Sequence, residues 1–122
     1  MKRVIIKPIC KDKFELVQEY IYQSKKGSIC VPSGYKTNGA NIPRFLWSFY
    51  PPNSPEYLSA VIIHDYLCDI ARKKKSYVFY KEADKVFYEA LLELEVSKSK
   101  AKIFYFACSF FHWIKKCLKI IQ

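Results

Sequence analysis

The stretch Tyr57-Leu58-Ser59-Ala60-Val61-Ile62-Ile63-His64-Asp65 constrains this chain more than any other. Up to His64 its apolar residues lie nearly all round a helix. A helix of that kind is largely buried. His64 and Asp65 therefore fall in or beside the core. A buried carboxylate is costly unless it is paired or liganded. The fold has to supply partners for a charge that it places inside.

The remaining chain offers one modest core to do so. With 122 residues it has the length of a single domain, 1–122, read as a sheet and polar loop over 1–50 and a helical part over 51–122. Hydrophobic residues make up 51% and aromatics 17%, which excludes disorder as the dominant state. The length excludes a separate cofactor domain.

Lys and Arg total 21 against 11 acids, a net charge of +10. Arg contributes only Arg3, Arg44 and Arg72. Proteins that read nucleic acid lean on the planar Arg fork. The excess of Lys is therefore read first as a solvated surface and a codon bias. Attraction to nucleic acid or an anionic membrane is the lesser reading. The five cysteines form no CxxC pair, so a zinc knuckle is not expected, and reduced, mostly buried thiols are. The apolar run before Lys7 and Pro8 is too short for a signal peptide. The run Ile103–Ile114 is too short to span a bilayer and reads as a core helix before an interfacial one.

Local signals divide the chain near Pro51. Val4–Ile6, a stretch containing Phe14, Leu16, Tyr20 and Tyr22, and Ser28–Val31 read as strands, with Lys25-Lys26-Gly27 as a hairpin connection. Asn41 reads as the cap of a short helix through Trp47. Ser54-Pro55-Glu56 starts a helix expected to reach about Ala71. A second is expected over 81–94, and Ser97 caps a third to about Ile120. The fold class is α+β, a small antiparallel sheet covered by three helices.

His64 and Cys68 are four residues apart, as are Asp65 and Asp69, so each pair shares a helix stripe. A His-Asp dipeptide serves a metal site or acid–base work, given a second carboxylate to orient the imidazole. Asp84 is the candidate for that carboxylate. The competing reading is a purely structural network. Cys68 is a minor candidate ligand, His112 reads as a satisfied histidine of the core or surface, and Asp69 as a solvated helix end. Thr37, Asn38, Asn41 and Arg44 suit an oxyanion, or simply turn and cap chemistry.

The string Val31-Pro32-Ser33-Gly34-Tyr35-Lys36-Thr37-Asn38-Gly39-Ala40-Asn41-Ile42-Pro43-Arg44 resembles the family called domain of unknown function 1353. So do Pro51-Pro52, Ala60–Leu67 and Ala83-Asp84, so that the resemblance covers roughly Phe14 to Trp113. The resemblance implies a phage or prophage product, in the host cytoplasm or the virion. It implies a polar signature at Thr37, Asn38, Asn41, Arg44, His64, Asp65 and Asp84. Asn38 stands where that family usually has Asp, and Asn41 where it usually has Ser. An amide at 38 favours structural over catalytic use.

The first expectation is a small accessory or virion-associated protein with a buried polar network, partnered by a phage or host protein. The alternative is a small hydrolase using His64, Asp65 and Asp84, with Arg44 steadying an oxyanion and a divalent metal admitted as cofactor. The weakest is a basic module for nucleic acid or a membrane surface, through the lysines flanking the last helix.

Overall fold

A computed structural model describes residues 4–10, 13–25, 27–37 and 58–118. Asn38, Asn41, Arg44, the short helix expected through Trp47 and the start of the long helix lie outside the described residues. Among these residues, five strands precede three helices: β1 (Ile6–Cys10), β2 (Lys13–Leu16), β3 (Tyr20–Ser24), β4 (Gly27–Val31), β5 (Lys36–Thr37), α1 (Leu58–Lys74), α2 (Tyr77–Glu93) and α3 (Lys98–Cys117). The α+β class is as the sequence implies.

The strands form two antiparallel sheets rather than one, β1-β2-β5 and the hairpin β3-β4. The break comes from the return of the later chain onto β2. Leu16 exchanges backbone hydrogen bonds with the returning loop, through Leu16 N–H to Tyr35 O and Gly34 N–H to Leu16 O, both 2.8 Å. Gly34, at φ +86°, supplies the left-handed turn that brings β5 onto β2. The chain then leaves β2 at its end and starts the hairpin separately. The hairpin closes at the Ser24–Gly27 pair, with Gly27 at φ +138°.

β1 runs through Lys7 and Pro8, where the sequence suggested an end. It is an edge strand with a register shift between Pro8 and Cys10. An edge tolerates a residue without an N–H.

α1 is the core helix: Ser59 through Asp65 are all buried. Val4 N–H donates to Ser59 Oγ (3.0 Å), tying the N-terminal segment to the start of this helix. α1 continues past Ala71 to Lys74 because basic residues at a helix C-terminus complement its dipole. α2 begins at Tyr77, four residues earlier than expected, because Ser76 caps it by accepting from Phe79 N–H. Ser97 caps α3 as its sequence suggested, but the helix ends at Cys117 rather than near Ile120.

Each interhelical connection contains a left-handed residue that is not glycine, Lys75 (φ 50°) and Glu95 (φ 64°). The backbone there closes the helix ends, with Ser76 N–H to Ala71 O and Val96 N–H to Leu91 O. The main core joins Leu16, Tyr20, Tyr22 and Val31 of the strand half to Ile62, Ile63, Phe87, Leu91 and Phe104 of the helices.

The expectation of mostly buried thiols holds for two of the four cysteines whose side chains are described. Cys68 and Cys108 are buried; Cys30 and Cys117 are exposed.

Candidate functional site

All three helices contribute polar side chains to one point in the core. Asp84, near the middle of α2, is 1% exposed. Its Oδ1 lies 2.7 Å from His64 Nε2 and its Oδ2 lies 2.8 Å from His112 Nδ1. Burial pushes the Asp84 carboxyl up, but the hydrogen bonds from His112 and His64 outweigh it and hold the group below its ordinary value. Asp84 is therefore an ionised acceptor. An ionised carboxylate donates nothing, so both ring nitrogens facing it must carry protons.

That assignment fixes the histidine tautomer. With Nε2–H given to Asp84, Nδ1 is left facing away from the carboxylate, and in a neutral ring it is an acceptor. His64 Nδ1 is buried and has no hydrogen-bond partner among the described residues. The ring itself is fully buried and stacks on Phe87, with centroids 4.5 Å apart. Leaving such a group unpaired costs about 1–3 kcal/mol.

Spacing four on two helices builds the surroundings. His64 and Cys68 share a stripe of α1, with Cys68 Sγ 3.5 Å from His64 Nε2. Cys108 and His112 share a stripe of α3, and both are buried. One ligand-type atom each from His64, Asp84 and Cys108 lies within 4.8 Å of the others. Asp84 already accepts from both histidines, and burial drives the Cys68 and Cys108 thiols well up, so they are protonated at neutral pH.

Asp65 points into a second connection. Thr37 Oγ1 donates to Asp65 Oδ2, and Tyr35 Oη donates to Asp69 Oδ2 at 2.5 Å. Residues 35 and 37 lie on one side of the β5 segment, about 6.6 Å apart by strand rise. Asp65 and Asp69 lie on one stripe of α1, about 6 Å apart by helix rise. The two spacings match, so the strand is fastened to the helix at two points. Asp69 is thus not the solvated helix end that its position suggested. It also pairs with Arg72 Nη1 at 3.1 Å. Burial, then the Asp69 hydrogen bond, raises the Tyr35 hydroxyl far above its usual range.

Of the predicted residues, His64 and Asp84 meet directly, and Thr37 and Asp65 meet directly. Sequence reasoning undervalued His112 and passed over Tyr35. The four-residue echo of His64–Cys68 in Cys108–His112 was the available signal for the first. The alternation of Tyr35 and Thr37 against Asp65 and Asp69 was the signal for the second.

Residues 14–108 match the family described as "Protein of unknown function (DUF1353)". The chain belongs to this family. Two proteins of Sinorhizobium fredii (strain NBRC 101917 / NGR234) are similar to it. Uncharacterized protein y4iH is 38% identical over 73 residues, covering 59% of this chain and 28% of that protein. Uncharacterized protein y4jT is 31% identical over 96 residues, covering 77% of this chain and 27% of that protein. The chain thus spans less than a third of the length of either. No solved structure matches.

Proposed function

We propose that this domain is a small hydrolase in which His64 is the general base. The carrying observation is the half-satisfied imidazole: Nε2 held by Asp84 at 2.7 Å, Nδ1 bare. Nδ1 takes a proton from the attacking water. Asp84 keeps the ring in the productive tautomer and steadies the imidazolium that forms. His112 positions Asp84 from the far side. Asp65, next in sequence, is fastened to Thr37 and holds β5 against the helix that carries the base.

A second reading retains one specific support. The network is sealed, with His64, Asp84 and His112 all at or below 1% exposure. In that reading the domain is a non-catalytic phage or prophage accessory protein, and the network only locks the three helices.

Purified protein assayed against chromogenic acyl esters and phosphodiesters, across neutral to alkaline pH, separates the two. Turnover of one class, falling about 100-fold or more in His64→Gln, supports the hydrolase. Turnover no greater than buffer, or unaffected by His64→Gln, overturns it and leaves the accessory reading.

A further inference from the structure

We propose that α3, with the adjoining end of the helical bundle, docks on an anionic lipid surface. The inference is independent of the chemistry at His64. The α3 residues Ala101, Phe104, Cys108 and His112 face the core. Ile103, Phe106, Phe110 and Trp113, spaced three, four and three, lie on the opposite face and are 44%, 62%, 60% and 51% exposed. Large apolar side chains in an unbroken exposed stripe mark an interaction face rather than scattered surface residues.

The stripe continues at the bundle end. α1 and α2 are joined there by only Lys75 and Ser76. Lys116 Nζ lies 4.6 Å from the Tyr77 ring centroid, which brings the end of α3 to the start of α2. Val78, beside it, is 65% exposed. Lys73, Lys74 and Lys75 surround this end, and Lys74 lies over Phe79.

Charge identifies the occupant. α3 carries five lysines, at 98, 100, 102, 115 and 116, and no acid. Lys115 and Lys116 complement the C-terminal end of the dipole, but Lys98 and Lys100 in the first turn oppose its positive end. Helix stability does not account for them; an anionic partner does. A second copy of α3 would set lysine clusters against lysine clusters in either orientation. A nucleic-acid strand would stack on the aromatics but leave Val78 and Ile103 without use. An interfacial layer takes aliphatic and aromatic side chains together, with Lys at the headgroups. No helix of the described residues is long and apolar enough to cross a membrane, so the contact is a surface one.

The test is vesicle binding by the full chain, using phosphatidylcholine alone or mixed with phosphatidylglycerol. Binding should be about tenfold or more tighter to the mixed vesicles and weaken with salt, since lysines near an anionic surface are drawn to it electrostatically. The pair Phe110→Glu and Trp113→Glu should lose binding about tenfold while keeping the wild-type circular dichroism. Lys115→Gln with Lys116→Gln should cut only the phosphatidylglycerol-dependent part. Equal binding to both vesicle types, or none, overturns the proposal. So does tighter binding to a single-stranded oligonucleotide, or a lipid-free dimer that the Phe110/Trp113 pair of substitutions dissociates.

Discussion

Two polar regions of this domain handle charge in opposite ways. Around Asp84 one negative charge is fully enclosed, and two imidazole N–H groups meet it from neighbouring helices. At the α3 end several positive charges stand in solvent, among apolar side chains and without an acid on their own helix. Enclosed charge demands individual partners, because desolvation penalises every one left unmatched. Exposed charge makes no such demand, so its pattern is free to answer an external surface.

Removing the enclosed charge should have the largest effect. Asp84→Ala leaves two buried donors unmet, and we expect a loss of about 3–5 kcal/mol, read by urea unfolding. A wild-type midpoint would break the contrast at its root.

Acid should act through the same group. Asp84 is held below its unfolded value of 3.8, so its contribution is complete above that pH and is lost as pH falls through its own lower value. The melting temperature should drop in that acid range, and the drop should shrink in Asp84→Asn.

The fastening of β5 to α1 comes next. Thr37→Val and Tyr35→Phe each delete a hydrogen bond to a carboxylate and should cost about 1.5–3 kcal/mol. A double-mutant cycle should show coupling, because both act on the same short strand.

The exposed end should be the least sensitive. Phe110→Ser should change stability by no more than about 0.5 kcal/mol. Glu95→Gly relieves a left-handed non-glycine residue and should stabilise by up to about 1 kcal/mol, visible as a raised melting temperature.

Much of this was legible in the residues. The burial of α1, the Ser97 cap, the hairpin at Gly27 and the candidacy of Asp84 follow from spacing and turn chemistry, which are local. The division into two sheets was not, because it depends on Gly34 returning the chain to Leu16, a tertiary event. Ser76 was hidden by the lysine run before it, which reads as an exposed tail. His112 was hidden by its aromatic neighbours. Its partner lies 28 residues away on another helix, beyond any local pattern.

β5 is two residues long and, among the described residues, pairs with β2 alone. Its grip on α1 rests on the side chains of Tyr35 and Thr37. A unit so small opens at a cost well below that of global unfolding. Its amides should exchange with solvent far sooner than those of α1 and α2. Each such excursion would bring water to Asp65. A domain that is closed in its average structure can in this way admit solvent by local melting, on a timescale that hydrogen exchange measures directly.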